Sequence, residues 1–256
     1  MNIRRRIDVI ENIYVSSDGH GQFQTVLRGL RDIMRPGDKL IYLGDAIDRG
    51  PQGYQMLEYL LDPDENFKVT MLRGNHESML LEFIDEVYAL AELKGQKITA
   101  LKQFWDLADE HSFNSFWVRV NGGDTTLFEM RRLIHSLEKL NQLYMKISKL
   151  PYHMTVSCNG KRFYLVHGSP AIRNSERMLW DATTVTRDYS KYGDYIVFGH
   201  IITWHYQQEK FEEKPTVFYG SNQIIGIDTG AAFPEYGGCV SFLRLNDLRA
   251  FYYDIR

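Results

Sequence analysis

Short apolar runs alternate with amphipathic segments in the N-terminal part of the chain. Three runs rich in β-branched and aromatic side chains predict buried strands: Asn12 to Ser16, Lys39 to Leu43 and Phe67 to Leu72. Between them, apolar residues recur at helical spacing from Phe23 to Ile33 and from Gly53 to Leu61. Strands that alternate with helices predict right-handed crossovers, and therefore a parallel sheet.

Helical periodicity dominates the middle of the chain. It covers three stretches: Met79 to Ala91, Leu101 to Ala108 and Leu127 to Ile147. Asn121-Gly122-Gly123-Asp124 interrupts the pattern and predicts a loop. We interpret residues 77–150 as a helical elaboration of a single domain over residues 1–256, because the polar motifs described below continue beyond it.

The C-terminal part is rich in predicted strands. Met154 to Cys158 and Arg162 to Val166 flank Asn159-Gly160, a strong signal for a two-residue hairpin turn. Five more runs predict strands: Tyr195 to Phe198, Thr216 to Tyr219, Ile224 to Ile227, Val240 to Leu245 and Leu248 to Tyr253. The whole pattern indicates an α/β fold in which a mixed or antiparallel second sheet packs on the first, with helices outside.

Several predicted strands stop at a short polar segment that contains glycine and residues able to bind divalent metals. The segments are Ser17-Asp18-Gly19-His20-Gly21, Gly44-Asp45-Ala46-Ile47-Asp48-Arg49-Gly50, Gly74-Asn75-His76-Glu77, Val166-His167-Gly168 and Gly199-His200. The carboxyl ends of parallel strands meet at one edge of a sheet, so we expect Asp18, Asp45 and Asn75 to lie close together. Carboxylate, amide oxygen and imidazole groups suit hard or borderline divalent ions. The sequence therefore predicts a binuclear metal site.

The spacing of these segments also suggests how two metal ions would be shared. Two cations about 3.5–4 Å apart need a bridging carboxylate to offset their repulsion. Asp45 is the natural bridge, since it lies in sequence between the Asp18/His20 pair and the later ligands. Such a pair of ions would clamp a phosphoryl oxygen and lower the pKa of a bridging water, so that hydroxide is available near neutral pH.

Four residues beside the ligands have the chemistry that phosphoester cleavage needs. Arg49 and Arg73 each carry a guanidinium that can bind two phosphate oxygens at once. His76 follows the candidate ligand Asn75 and is a candidate to protonate the leaving oxygen, and Asp48 is a candidate to orient that imidazole.

These motifs resemble those of the calcineurin-like metallophosphoesterases, specifically the serine/threonine phosphoprotein phosphatase branch and its small bacterial and bacteriophage-type members. The match runs from about Ile13 to Phe233 and includes Ile227-Asp228-Thr229-Gly230. The resemblance implies a sandwich of two mixed β-sheets flanked by helices. It also implies the following roles: one metal held by Asp18, His20 and Asp45; the other by Asp45, Asn75, His167 and His200; Asp48 and His76 as the acid/base pair; Arg49 and Arg73 as phosphate binders. By the same resemblance the ions are manganese, while iron and zinc also fit the ligands.

The chain departs from the family pattern at a few positions. Ser17 stands where glycine is usual, Gly168-Ser169 where Ala-Gly is usual, and Ile201 where threonine is usual, and none of these changes removes a ligand. A larger departure is Ala182, at a place where related phage-type enzymes carry a phosphate-binding arginine. Arg177 and Arg187 are the candidates to replace it.

The leading functional hypothesis is a metal-dependent phosphatase that hydrolyses phosphomonoesters, either phosphoserine and phosphothreonine in proteins or small phosphoesters. Hydrolysis of dinucleoside polyphosphates such as diadenosine tetraphosphate is the enzymatic alternative, and Asp48 and Glu77 argue against it, because that sister branch often has Ala and Asp there. A non-catalytic regulatory protein that binds metal and phosphate is the third hypothesis, prompted by Ala182.

Composition and charge narrow the setting of this chemistry. The chain has 256 residues, of which 44% are hydrophobic and 25% charged, as in ordinary soluble globular proteins. Its net charge of −3 argues against broad nucleic-acid binding. The basic segment Met1 to Arg6 precedes no uninterrupted apolar stretch, and no apolar run is long enough to span a bilayer. With Cys158 and Cys239 expected as unpaired thiols, we expect a soluble cytoplasmic protein without membrane contact, and the oligomeric state stays open.

Overall fold

The strands and helices come from a computed structural model that describes residues 11–63, 67–170, 175–182, 186, 188–207 and 214–256. The strands are β1 (Ile13–Ser16), β2 (Lys39–Tyr42), β3 (Lys68–Met71), β4 (His153–Cys158), β5 (Lys161–Val166), β6 (Tyr195–Phe198), β7 (Phe218–Tyr219), β8 (Ile224–Gly226), β9 (Cys239–Arg244) and β10 (Arg249–Asp254). The helices are α1 (Phe23–Ile33), α2 (Gly53–Leu61), α3 (Asn75–Leu93), α4 (Leu101–Ser112), α5 (Phe116–Val120), α6 (Gly123–Leu133), α7 (Leu137–Ser148), α8 (Ser175–Trp180) and α9 (Trp204–Gln207).

The strands form two mixed sheets of five strands each. In the first sheet, ordered β10-β9-β1-β2-β3, the three N-terminal strands run parallel, with Val15 opposite Ile41 and Ile41 opposite Thr70. In the second, ordered β4-β5-β6-β8-β7, the central strands β5, β6 and β8 are parallel and the outer strands are antiparallel. The α/β fold with two mixed sheets, which the family resemblance implies, is confirmed. The sequence pattern placed β9 and β10 in the second sheet, but they join the first, where β9 pairs antiparallel with β1.

One apolar layer joins the two sheets. Side chains that alternate along the first sheet, such as Val15 and Ile41, pack in a buried cluster with Leu165, Val197 and Ile225 of the second sheet. The opposite face of each strand points to a different layer, because successive side chains of a strand alternate between faces. The two sheets are therefore stacked face to face, and helices cover their outer surfaces.

The helical segment after β3 shares the core of the first sheet. Tyr14 and Tyr42 on the outer face of that sheet belong to the same buried cluster as Phe83 of α3, Phe104 of α4 and Leu140 of α7. Burying an aromatic side chain of this size contributes about 2–3 kcal/mol through the area removed from water. Packing against the sheet thus fixes where α3 to α7 stand.

The structure corrects several sequence-based boundaries. The stretch from Leu127 to Ile147 is two helices and not one, because the chain leaves the helical conformation after Leu133 and Ser136 Oγ accepts the Lys139 N–H to begin α7. The expected loop at residues 121–124 is shorter, since α6 already begins at Gly123. The strand expected from Thr216 covers only Phe218–Tyr219, and three short helices, α5, α8 and α9, were not predicted. Within the described chain, no helix is long and apolar enough to cross a bilayer.

Candidate metal centre

The candidate site lies on turns that follow the strands, and many of its residues have unusual backbone conformations. Among the described residues, nine non-glycine residues have positive φ, and six of them belong to candidate site segments: Asp18, His20, Asp45, Asp48, Arg49 and His200. The left-handed region is unfavourable for residues with a Cβ, so it persists only where surrounding contacts enforce it. Such contacts are found around Asp45 and Asp18.

A buried glutamate and a glycine hold the Asp45 turn. The Glu77 carboxylate accepts hydrogen bonds from the backbone N–H groups of Asp45 and Ala46, both at 2.8 Å, and from that of Gly74 at 2.9 Å. A Cβ on Gly74 would lie 2.1 Å from Oδ1 of Asp45, so only glycine fits there. Asp45 Oδ1 also accepts the His76 N–H at 3.0 Å, at the first turn of α3. The turn after β2 and the start of α3 are thereby locked together.

Two histidines present a defined ring nitrogen to the site. The Nδ1 of His20 lies 2.9 Å from the carbonyl oxygen of Ile47, and the Nδ1 of His167 lies 3.1 Å from that of Leu43. A carbonyl only accepts, so both Nδ1 atoms carry the proton in these bonds. The Nε2 atoms are left to face the site, which is how a protein commonly orients metal-ligating histidines.

The ligand atoms converge on Asp45. Its Oδ2 lies 3.8 Å from His20 Nε2, 3.8 Å from His76 Nε2 and 3.4 Å from His167 Nε2. Two groups have ligand atoms that all lie within 4.8 Å of one another: His20, Asp45 and His76, and Asp45, His167 and His200. Asp45 belongs to both groups.

The donor set of the second group fits a cation. His167 Nε2 lies 2.8 Å from Oδ1 of Asn75, and His200 Nδ1 lies 3.1 Å from the same oxygen. The Asn75 and Asp45 oxygens are both acceptors, so a proton or a metal ion must accompany His167 Nε2 between them. Nitrogen and oxygen ligands of this kind suit divalent first-row metals.

Burial and charge act together on the ionisable groups of the site. Burial favours the neutral form of Asp45, but the imidazoles of His167, His76 and His20 hold the pKa of Asp45 well below its usual range. Burial also disfavours charge on His167, but the carboxylates of Asp45 and Asp18 outweigh it and raise the pKa of His167 to about 9. Burial and the adjacent His167 lower the pKa of His200 to about 4. The site is thus a buried cluster of mutually dependent charges.

Asp18 is placed differently from the other candidate ligands. Both of its carboxylate oxygens accept the backbone N–H of His200, at 3.1 and 3.0 Å. A Cβ on Gly199 would lie 2.1 Å from Oδ2 of Asp18, so the glycine permits this close approach. Burial, together with the charge of Asp45, raises the pKa of Asp18 to about 6. The structure therefore brings Asp18 beside His200 and outside the two tight groups around Asp45.

The Asp48–His76 pair is buried and strongly supported. His76 Nδ1 donates to Oδ2 of Asp48 at 2.6 Å. The same oxygen accepts Trp117 Nε1–H at 2.5 Å, and Oδ1 accepts the Thr126 hydroxyl at 2.6 Å. Thr126 Oγ1 in turn accepts the Asp48 N–H at 2.9 Å. The carboxylate is held from both sides, which fixes the orientation of the imidazole.

The two candidate phosphate-binding arginines have different surroundings. Arg49 is exposed, and its Nη1 lies 2.7 Å from Nε2 of His20, beside the metal-ligand cluster. The guanidinium of Arg73 instead donates to the carbonyl oxygens of Ile147 and Ser148, at the end of α7, and to the hydroxyl of Tyr152. Its contacts thus tie β3 to the segment after α7, and the structure does not group it with the other site residues.

Comparison with known proteins identifies the family. The model of the calcineurin-like phosphoesterases matches residues 11–204. The chain belongs to that family. The phosphoesterase is 25% identical over 250 residues to serine/threonine-protein phosphatase 2 of Escherichia coli K12, which covers 91% of this chain and 93% of that protein. It is also 25% identical over 244 residues to serine/threonine-protein phosphatase 1 of Salmonella typhimurium LT2, covering 91% and 92% of the two chains.

A solved structure shares the fold. A candidate diadenosine tetraphosphatase superposes with a TM-score of 0.52 and 17% identity, covering 96% of this phosphoesterase and 94% of that chain. At this identity the likeness concerns the fold alone. The family membership makes the chain a phosphoester hydrolase of a family that uses divalent metals, and the His/Asp groups around Asp45 are able to bind them.

Some supporting residues of this phosphoesterase carry no clear signal in the sequence. Trp117 lies outside the stretches predicted to be helical, Thr126 directly precedes one of them, and nothing local connects either residue with Asp48. Glu77 does carry a signal: it stands three residues after the helix-capping Gly74, where a glutamate commonly accepts backbone N–H groups. Asp228, in the Ile227–Gly230 motif, is buried, and burial and the nearby Asp18 raise its pKa well above the usual range.

Ala182 stands where related phage-type enzymes carry a phosphate-binding arginine, and Arg177 and Arg187 are the candidates to replace it. Ala182 is exposed, and Trp180 at the end of α8 lies edge-on to His200, with ring centroids 6.1 Å apart. Arg177 lies on α8 with an exposed side chain, and Arg187 lies outside the described residues.

Proposed function

We propose that this phosphoesterase is a binuclear metal-dependent phosphatase that hydrolyses phosphoserine and phosphothreonine in proteins. The observation that carries the proposal is the position of Asp45 in both ligand groups, with the buried Asp48–His76 pair beside it. Serine/threonine phosphatase relatives that align over nine-tenths of the chain support the substrate class.

The proposed ligands follow the two groups around Asp45. We assign His20 and Asp45, with Asp18, to one divalent ion, and Asp45, Asn75, His167 and His200 to the other; manganese is the proposed metal. Bound there, such ions supply Lewis-acid chemistry, which polarises phosphoryl oxygens and lowers the pKa of a water ligand.

The protein's own groups bind the substrate and move the proton. Arg49 is exposed beside His20, and its guanidinium is the group we propose to bind the phosphoryl oxygens. His76 keeps Nδ1–H on Asp48, so its Nε2 is the atom that can hold a proton for the leaving oxygen. We assign Arg73 a structural role, because its Nη1 donates to Tyr152 and its Nη2 to the end of α7.

Parallel assays of two substrates test the proposal. Manganese-loaded protein is given a phosphoserine peptide and, separately, diadenosine tetraphosphate, each with and without a chelator. Chelator-sensitive release of phosphate that is faster from the peptide is the expected result. Preferential cleavage of the dinucleotide would replace the proposed substrate with the one named for the structural neighbour. Two bound metals without turnover of either compound would favour a non-catalytic regulatory protein.

A further inference from the structure

A cleft opens directly beside the candidate metal centre. Its volume is about 270 Å³, and its walls include Phe116, Trp117, Trp180 and Met79. Trp117 also donates to Asp48, and Trp180 lies edge-on to His200. Two walls of the cleft therefore contact residues of the candidate metal centre, and a group bound in the cleft would be a neighbour of the phosphate. We call it the aromatic cleft.

The aromatic cleft exposes large apolar side chains to solvent. Phe116 is 64% exposed and Trp180 is 47% exposed, although each has a large apolar surface. Exposed aromatic groups that cluster around a concave surface are typical of binding sites, because covering them with a ligand removes apolar area from water.

The charge on the rim of the aromatic cleft defines the kind of ligand. Glu82 and Glu86 of α3 line it, and no lysine or arginine is among its lining residues in the described chain. Glu86 pairs with His111 at 2.7 Å, whereas Glu82 makes no ion pair among the described residues. Burial, followed by the charges of Glu176, Glu86 and Asp85, raises the pKa of Glu82. A cation placed next to Glu82 would relieve this repulsion.

We propose that the aromatic cleft binds a lysine or arginine side chain of the substrate, close in sequence to the phosphorylated residue. This inference rests on the proposed phosphatase function and specifies its substrate: a phosphoprotein segment with a basic residue near the phosphate. The Glu82 carboxylate supplies the opposite charge, and the faces of Trp180 and Phe116 attract a cation through their π-electrons. The uncharged parts of the basic side chain pack on the same rings.

A purine base is the competing occupant, since aromatic walls also stack on bases. The negative potential at Glu82 opposes a polyanionic dinucleotide, and it favours the cationic side chain. Diadenosine tetraphosphate is therefore assayed beside the peptides, and a strong preference for it would indicate that the purine base is the occupant.

The test compares phosphoserine peptides that differ in one residue. Each peptide carries arginine, alanine or glutamate at a single position flanking the phosphoserine, and kcat/KM is measured with manganese-loaded full-length protein. For at least one position, arginine is expected to exceed alanine by about five- to tenfold, the combined size of an exposed ion pair and a cation–π contact. Equal rates for the three residues at every position would overturn the proposal.

Charge variants at Glu82 locate the effect. Glu82→Gln should reduce the arginine preference to about two- to fivefold, because it removes the ion pair and leaves the cation–π contact. Glu82→Lys should turn it into a preference for glutamate. Glu92→Gln is the matched control: it removes an exposed carboxylate from the same helix, outside the cleft, and should leave the preference unchanged. An arginine preference that stays as large as in the wild type in both Glu82 variants would overturn the assignment.

Hydrolysis of p-nitrophenyl phosphate separates this inference from the proposed function. The compound has no peptide, so the Glu82 variants should hydrolyse it as the wild type does. If the wild type cleaves this compound and also cleaves all the peptides at equal rates, the proposed phosphatase function would stand and the assignment of the aromatic cleft would be wrong. A metal-loaded wild type that cleaves no phosphomonoester would remove both, as would strong preference for diadenosine tetraphosphate.

Discussion

The proposed metal ligands and the proposed acid pair, which we call the metal-ligand half and the acid-pair half of the candidate site, are held in place by different parts of the protein. Asp18, Asp45 and Asn75 follow β1, β2 and β3, so the parallel pairing of these strands brings their ends together. Asp48 is instead held by Trp117 and Thr126, which are 69 and 78 positions away in the sequence. These two residues lie on α5 and α6, outside the sheets.

This difference separates two kinds of failure. A change at a strand end should disturb the binding of metal, because the local turn carries the ligand. A change in the helices should disturb the orientation of Asp48 and His76 while the metal stays bound, because the helices support the acid pair and contribute none of the assigned ligands other than Asn75. The proposed substitutions test whether each residue supports the binding of metal or the orientation of Asp48 and His76.

Asp45→Asn should have the largest effect. It removes the carboxylate common to both ligand groups but keeps its size. Mutation of a residue that only orients a metal ligand lowers metal affinity by up to about 10²-fold. Since Asp45 is itself a proposed ligand, we expect a larger fall in affinity, and turnover should become undetectable. Metal bound per chain, measured by mass spectrometry after gel filtration, checks this, and Asp109→Asn on the exposed surface of α4 is the control. Two metals retained at wild-type affinity would contradict the assignment of Asp45 as the bridge.

His76→Asn should have the next largest effect, on turnover only. Loss of a general acid lowers the rate by about 10²–10⁴-fold. The loss should be greater for phosphoserine than for p-nitrophenyl phosphate, because nitrophenolate leaves without protonation. Metal content should equal that of the wild type. A ring nitrogen of His76 also belongs to the group with His20 and Asp45. If the His76→Asn variant binds fewer metal ions than the wild type, we would conclude that His76 is a metal ligand.

The predictability of the site from sequence follows the same division. The convergence of His20, Asp45, His167 and His200 could be predicted because these residues lie in segments that follow apolar runs and a strand end has a known place in a sheet, whereas their role as metal ligands stays a prediction. The parallel order of β1, β2 and β3 could be predicted from the alternation of strands and helices, and the β4–β5 hairpin from the Asn159-Gly160 turn, whereas two mixed sheets were implied only by the family resemblance. The break between α6 and α7 could not, because the apolar periodicity continues through Ile134, which is buried although it is not helical.

The supports of Asp48 lie beyond sequence reasoning for a physical reason. The side chains of Trp117 and Thr126 reach Asp48 only after α5 and α6 have packed on the rest of the protein. Their sequence neighbourhood is compatible with any buried helix, so no local pattern indicates their partner. Arg73 has two candidate roles: its place beside a ligand segment predicts phosphate binding, and its guanidinium contacts the end of α7, so a substitution is needed to separate them.

The same substitution at the two arginines should give opposite results. Arg49→Lys removes the planar fork beside His20, and we expect kcat/KM to fall by about 10–10²-fold with unchanged thermal stability. Arg73→Lys loses hydrogen bonds to the end of α7 and to Tyr152. Each buried hydrogen bond that is lost costs about 1–3 kcal/mol of stability. The melting temperature should therefore fall, while KM should not change. Kinetics and calorimetry on both variants check the pair. A raised KM for Arg73→Lys would return it to the phosphate-binding set.

Glu77→Gln tests how a helix side chain holds a ligand turn. The amide replaces one acceptor oxygen by a donor, so at least one of the three backbone N–H groups at Asp45, Ala46 and Gly74 loses its partner. The cost is about 1–3 kcal/mol, which lowers the melting temperature of a chain of this size by about 2–10 °C. Metal affinity should fall as well, because the turn that carries Asp45 is released. Calorimetry and metal titration check this; a destabilised protein with normal metal affinity would show that Asp45 is placed by the strand alone.

Thr126→Val should have the smallest effect and tests the acid-pair half most directly. Valine keeps the shape of threonine but removes the hydroxyl that donates to Asp48 Oδ1 and accepts the Asp48 N–H. Trp117 still donates to Oδ2, so the carboxylate keeps part of its support. We expect turnover of a phosphoserine peptide to fall by about tenfold, which corresponds to about 1.5 kcal/mol, the lower end for a hydrogen bond to a charged group. If Thr126 acts through His76, the deficit should be smaller for p-nitrophenyl phosphate, and metal content should be normal. Thr155→Val, at an exposed position of β4, is the control. A deficit of equal size on both substrates would mean that Thr126 stabilises the fold and does not position the acid pair.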